Sequence, residues 1–413
     1  MKILDAVQSQ KAVEAFTILD SKKIVYIAGE VRSGKTATSM DVCRLGSFKE
    51  VLFLTKKKAI SSIEEDFLDF GFDKHFNLTV INDESMHKLD PSIRFDVVIH
   101  DESHRFGGFP KPGKHTKTYK SMFYSKPQIL LSGTPTPESF SQYFHQLWVS
   151  EFSPWRSYAS FYKWAKDFVD VKQKRIGTHI INDYTKGIED KIMRDVKPLM
   201  ITMTKAERGF KSKVEEEVMY VKMLPVTYKL TKQLLDDSVI EGKEELILAD
   251  TPAKLQQKLH QLYSGTIKFE SGNRKVIDYS KVDFIIDNFK DKKIAIFYKF
   301  IAEYQALKDK LGDRLTQEIS EFDADPNKWI ALQVSSGSEG TNLSKADFLL
   351  MYNIDFSAKN YWQSRDRMTV MNRLKNVVIW IFSKGGIEDK VLKSVKKKEP
   401  YTTKIFKKDF KIK

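Results

Sequence analysis

The eight residues "GEVRSGKT" (29–36) constrain this chain more than any other stretch. They follow the apolar run "KIVYIAG" (23–29), which reads as a buried strand, and they fit the pattern of glycine, four residues, then Gly-Lys-Ser/Thr. A strand ending in such a turn hands over to a helix. Successive backbone N–H groups then converge on one anion beside the positive end of the helix dipole. Gly34 allows close backbone approach, Lys35 reaches terminal phosphates, and the Thr36 hydroxyl is placed to coordinate Mg²⁺. With Gly29 and Ser33 in the same turn, the stretch predicts a nucleoside triphosphate site.

A second stretch, "VVIHDESHRF" (97–106), supplies the acids that such a site needs. Val97 to His100 read as a strand, so Asp101 and Glu102 stand at its end, 66 residues after Lys35. In nucleotide-hydrolysing phosphate-loop folds, one strand-end acid holds Mg²⁺ and a second positions or deprotonates the attacking water. Adjacent residues at a strand end diverge, which assigns Asp101 to the metal and Glu102 to the γ-phosphate side. His104 is expected to link this site to the next loop.

Further apolar runs, at 50–56, 77–83, 95–101 and 128–134, alternate with helical stretches. That alternation predicts a parallel sheet covered on both faces. Aromatics crowd the next segment, as in "WRSYASFYKWAKDFV", and are expected to pack helices. Strand-like runs return at 216–223, 293–300, 329–336, 347–355 and 377–384, with Ile301, Tyr304, Leu307 and Leu311 forming one apolar helix face. The expected organisation is α/β: a first lobe over 1–148, a helical connector over 149–214, and a second lobe over 215–413 with a basic tail.

Several classes are excluded or disfavoured. No apolar stretch approaches the roughly 20 residues of a membrane span, and "MKILDAVQSQ" lacks a secretory pattern. A lone cysteine, Cys43, permits no internal disulfide and fits a reducing cytoplasm. The net charge of +14 points to a polyanionic partner. Residues 384–413 hold eleven lysines against four acids, and 105–126 hold six cations and no acid. Within the latter, Lys114 and Lys117 are candidate phosphate contacts, while Phe123 and Tyr124 are expected in the core. The tail either adds non-specific attraction or is simply solvated.

"GEVRSGKT", "DESH" and "LSGTP" (131–135) together resemble motifs I, II and III of superfamily 2 helicases and translocases, particularly the SWI/SNF-like branch and phage-encoded proteins of that kind. "VLFLTKK" (51–57), "IAIFYKF" (294–300), "SSGSEGTNLSKA" (335–346) and "YWQSRDR" (361–367) resemble motifs Ia, IV, V and VI. The resemblance implies two RecA-like lobes with ATP and Mg²⁺ in the cleft between them. Gln10, 25 residues before Lys35, stands about where the family's adenine-reading glutamine belongs. Ser132 and Thr134 would sense the phosphate state, Gly340 would approach ATP, and Lys56, Thr341 and Asn342 would contact nucleic acid. Motif VI departs from the pattern. Arg367 stands four residues after Gln363 as expected, but Val370 occupies the place of the second arginine. Arg365 and Arg373 are neighbouring candidates for the missing cation, with Arg373 the preferred one.

The implied activity is a nucleic-acid-stimulated ATPase, a DNA helicase or translocase acting on duplex or branched DNA in replication or recombination. It would be a cytoplasmic monomer with no membrane partner, in a bacterial host if phage-encoded. No base-reading motif is present, so binding is expected to be independent of sequence. An RNA helicase, or a nucleotide-binding switch or scaffold without motor activity, remains an alternative.

Overall fold

The computed structural model describes residues 2–410 apart from 31, 91, 177–178, 210, 212, 243–244, 338–340, 366, 369–374 and 398–400. The chain divides into two compact units, Met1–Phe210 and Lys211–Lys413.

The first unit is built on β1 (Ile24–Gly29), β2 (Glu50–Thr55), β3 (Asn77–Asn82), β4 (Val97–His100), β5 (Gln128–Ser132) and β8 (Met200–Met203). An antiparallel hairpin, β6 (Lys172–Ile176) and β7 (His179–Asp183), stands apart from that sheet. The strand order is β3-β2-β4-β5-β1-β8, with every neighbouring pair parallel. β4 and β5 are buried at every position, as a parallel sheet covered on both faces requires. The period of two sends Val25 and Ile27 to one core, with Ala12, Leu19 and Met40 from α1 (Ala6–Lys22) and α2 (Lys35–Leu45). Ile24 and Tyr26 point to the other.

Residues expected to form a connector, 149–214, lie almost entirely within this first unit, whose boundary falls after Phe210. Their aromatics explain why. Trp155, Phe161, Trp164 and Phe168 pack with Tyr26 and Leu130 against the sheet, and the Trp164 and Phe168 rings stack at 5.1 Å. Burying each such ring contributes on the order of 3 kcal/mol. The chain then returns to the sheet as β8, beside β1.

The second unit repeats the plan. Its strands are β9 (Lys213–Val221), β10 (Val239–Glu241), β11 (Leu246–Leu248), β12 (Thr266–Lys268), β13 (Arg274–Val276), β14 (Ile294–Tyr298), β15 (Leu315–Thr316), β16 (Trp329–Gln333), β17 (Phe348–Met351) and β18 (Lys375–Ser383). Six of them form a parallel sheet in the order β15-β16-β14-β17-β18-β9, and the other four pair as two hairpins. The α/β reading with two parallel-sheet lobes therefore holds. The expected helix face holds except at its first residue: Leu307 is buried and Tyr304 and Leu311 pack against the core, but Ile301 is 53% exposed, and Ala302, Glu303 and Ala306 also turn inward. Glu303 is held there by its carboxylate, which accepts from the backbone N–H groups of Lys299 and Phe300 and from Asn353 Nδ2. Among the described residues, no helix is long and apolar enough to cross a membrane.

Candidate nucleotide site

The phosphate loop spans the gap between β1 and α2, at the carboxyl edge of the first sheet. Gly34 adopts φ +85°, and a Cβ there would lie 2.3 Å from Gln8 Nε2. A Cβ on Gly29 would lie 2.5 Å from Ser33 Oγ and 2.6 Å from Lys35 Cγ. A Cβ at either position would push aside the Gln8 and Arg208 or the Ser33 and Lys35 side chains that shape the loop, and at Gly34 it would also meet an unfavourable dihedral. Lys35 Nζ folds over the loop and donates to the carbonyls of Gly29 (2.8 Å) and Glu30 (3.1 Å). Thr36 stands in the first turn of α2, partly exposed. Ser33 Oγ is buried without a hydrogen-bond partner, the kind of orphan that a phosphate oxygen satisfies.

The acids stand at the same edge, at the end of β4. Asp101 accepts from Thr55 Oγ1 (3.2 Å) and from the Glu102 N–H (2.9 Å). Burial pushes its carboxyl up to about 6, the charge of Glu102 adds to this, and Lys35 opposes it. Glu102 has φ +53°, a left-handed backbone that costs a non-glycine residue about 1–3 kcal/mol. Its Oε2 lies 3.1 Å from His104 Nδ1, and the same nitrogen lies 3.0 Å from Ser132 Oγ. Ser132 Oγ in turn accepts from the Thr134 N–H (3.1 Å), and Ser103 Oγ donates to the Leu131 carbonyl (3.0 Å). Two groups thus meet at His104 Nδ1: Ser132 Oγ through a hydrogen bond and the Glu102 carboxylate through a close contact. The Thr134 hydroxyl is buried without a partner.

The glutamine assignment changes. Gln10 is exposed and donates to Glu14 (3.0 Å). Gln8, buried, is the glutamine that lies against Gly34, and it closes a capping box with Asp5 at the start of α1. Arg208 completes this corner: it donates to Asp5 (2.8 Å), to Gln8 Oε1 (3.3 Å) and to the Arg32 carbonyl (3.2 Å). Sequence reading missed Arg208, although the Asp-x-x-Gln box marking Gln8 was visible.

Of the basic candidates, Lys114 and Lys117 are exposed on α4 (Lys114–Phe123), and Lys56 is partly exposed between β2 and α3 (Ile60–Asp69). Phe123 is buried as expected, but Tyr124 is exposed and lies under Lys120, whose Nζ also stands 3.6 Å above the Trp148 ring. In the second unit, Thr341 is partly exposed, and Asn342 Oδ1 accepts from the Ser344 N–H (3.1 Å). The Leu343 N–H donates to the Arg367 carbonyl (3.2 Å), so the two motifs touch. Arg365 is engaged by Glu216 (3.0 Å) and by the Trp362 ring, a structural use. Gly340, Val370, Arg373 and the Gln363 side chain lie outside the described residues.

Comparison with known proteins finds distant similarity. The chain is 22% identical over 335 residues to the CHD3-type chromatin-remodeling factor PICKLE of Arabidopsis thaliana, covering 74% of this chain and 23% of that protein. It is 23% identical over 333 residues to Protein CHROMATIN REMODELING 4 of the same plant, covering 74% and 15% respectively. It therefore spans less than a quarter of the length of these relatives. No family model matches the chain. Among solved structures, the Sulfolobus solfataricus SWI2/SNF2 ATPase core in complex with dsDNA aligns with TM-score 0.44 and 15% identity, over 98% of this chain and 92% of that one.

The raised Asp101 carboxyl carries a prediction. Its proton is held more tightly folded than unfolded, so the ionised group opposes folding above about pH 6, and that penalty fades as pH falls through 6 toward 4. Without nucleotide, Asp101→Asn should raise the thermal midpoint at pH 7.5 by about 2–4 °C. Scanning calorimetry at pH 7.5 and 5.5 checks it: the gain over wild type should shrink at the lower pH. A variant melting below wild type at pH 7.5 contradicts it.

Proposed function

We propose that this chain is a SWI2/SNF2-type superfamily 2 ATPase core, which uses ATP and Mg²⁺ to translocate on or remodel duplex or branched DNA in replication or recombination. The observation that carries the reading is the shared sheet edge: the phosphate loop after β1 and the acid pair after β4, with Lys35 acting electrostatically on Asp101. The N–H groups opening α2, with Lys35, hold the phosphates. Thr36 and Asp101 would hold Mg²⁺, which when bound neutralises charge on the phosphate oxygens. Glu102, kept in place by His104, orients and deprotonates the attacking water. The His104–Ser132 contact carries the state of that site into the loop of Thr134. Arg367, with Gln363 and Arg373, is assigned to charge neutralisation at the transferred phosphoryl group.

The DNA assignment is supported by the net charge of +14 and by the exposed Lys114 and Lys117 on α4. The named relatives are chromatin-remodelling proteins. One observation favours the second reading, a nucleotide-binding switch: Arg367 is only 6% exposed. Triplex displacement separates the two. With ATP, the chain should strip a third strand from duplex DNA, and the rate should fall steeply between 50 and 200 mM salt, by about tenfold or more. Tight ATP binding with no displacement supports the switch. Stimulation by RNA but not by duplex DNA supports an RNA helicase.

A further inference from the structure

Behind the acid pair lies a buried polar knot that the nucleotide chemistry does not use. His100 ends β4, one residue before Asp101; Asp83 opens the turn after β3; His115 stands in the first turn of α4. Asp83 Oδ1 lies 3.2 Å from His100 Nε2, and Asp83 Oδ2 lies 3.6 Å from His115 Nε2. One donor atom from each of the three residues lies within 4.8 Å of the others. His100 is 0% and Asp83 2% exposed. Phe106 and Tyr119 wall the knot, their rings 4.0 and 5.2 Å from the His100 ring.

Asp83 Oδ2 is paired with Arg105, but most of the other polar atoms make no hydrogen bond of good geometry. Both nitrogens of His100, Asp83 Oδ1, His115 Nε2 and the Tyr119 hydroxyl are buried without a hydrogen-bond partner. Isolated orphans occur in folded proteins, but so many facing one another inside an aromatic box call for a ligand that takes lone pairs. The charged neighbours are Arg105, whose guanidinium contacts Asp83, and Glu84, which holds the other end of that guanidinium at 2.9 Å. Glu84 therefore keeps Arg105 anchored if Asp83 turns to a cation.

We propose that Asp83, His100 and His115 bind one divalent transition-metal ion of the zinc type. Two imidazoles and a carboxylate are a zinc donor set, whereas magnesium and calcium require oxygen ligands. Tetrahedral ligation at roughly 2.1 Å separates donor atoms by about 3.4 Å. Each oxygen of the Asp83 carboxylate stands near that spacing from one imidazole, Oδ1 at 3.2 Å from His100 Nε2 and Oδ2 at 3.6 Å from His115 Nε2. The ion staples the first turn of α4, which carries exposed Lys114 and Lys117, to the strand that delivers Asp101. The site stands on its own geometry, whether or not the chain hydrolyses ATP.

The test uses chelator-stripped full chain without nucleotide, titrated with zinc sulfate against a competing zinc indicator and followed in parallel by thermal melting. One equivalent should bind with Kd on the order of 1 µM or tighter, and the melting midpoint should rise. Magnesium at the same concentration should leave the midpoint unchanged. His115→Ala, at the exposed rim of the knot, and Asp83→Asn should each weaken binding at least about tenfold and remove the rise. His75→Ala, an exposed histidine elsewhere, should change neither. Circular dichroism establishes that the variants fold. Absence of stoichiometric zinc in the wild type, or an unchanged Kd in a folded His115→Ala, overturns the proposal and leaves a hydrated polar core.

Discussion

Lys35→Ala should lower ATP turnover by about 10³-fold or more while leaving duplex DNA affinity within about twofold of wild type. The asymmetry follows from where the side chain lies. Its ammonium is folded onto the carbonyls of Gly29 and Glu30, inside the phosphate loop, and its charge reaches the Asp101 carboxyl. Removing it strips a preorganised cation from the phosphates, and it also frees Asp101 to take up a proton more readily. The lysines assigned to DNA sit on α4, on a different element. Steady-state ATPase assays and fluorescence anisotropy on a labelled duplex measure the two effects separately. Turnover surviving at near wild-type rate would show that the phosphate loop is misassigned. A parallel collapse of DNA affinity would show that the loop supports the whole unit rather than one site.

Glu102→Gln should reduce kcat by roughly 10²–10⁴-fold with little change in nucleotide affinity. Glutamine keeps the length of the side chain and an oxygen beside His104, so the turn at φ +53° and the His104–Ser132 contact persist. What it loses is the capacity to take the proton of the attacking water. Asp101 and Lys35 remain, so ATP and Mg²⁺ should still bind, and the protein should stall with intact nucleotide. Equilibrium binding of a fluorescent ATP analogue, set beside single-turnover hydrolysis, distinguishes this from simple loss of affinity. Wild-type hydrolysis in the variant would remove Glu102 from the chemistry.

Both predictions rest on residues that were legible in the chain because their physics is local. Val97 to His100 are buried on both faces, Val97 to Ile99 appear as an unbroken apolar run, and the acids that follow are placed by chain continuity alone. The phosphate loop is legible for the same reason, since strand, turn and helix are consecutive. Distance in sequence hides the rest. Arg208 reaches Asp5 across 203 residues, and no spacing rule connects them. Gln10 and Gln8 are two residues apart, hence about 200° apart around a helix, so counting back from Lys35 finds the helix but not the face. The inward face is set by Gly34 and Arg208, against which Gln8 packs. The stretch after Trp148 reads as a helical connector, yet among the described residues its α-helices are only Phe161–Phe168 and Glu189–Val196, beside the β6–β7 hairpin and β8. The reason is that its aromatics pack on Tyr26 and Leu130 far upstream rather than on one another alone. β8 is four residues long, too short to stand out as a strand until it lies beside β1.

The most direct test of the central claim is the ATP hydrolysis rate of the full chain measured with and without saturating duplex DNA at low salt. A nucleic-acid motor should turn over ATP at least about tenfold faster with duplex than alone, and it should lose that acceleration as salt rises. Hydrolysis that duplex DNA leaves unchanged, in a chain shown to bind both ATP and DNA, would contradict the account.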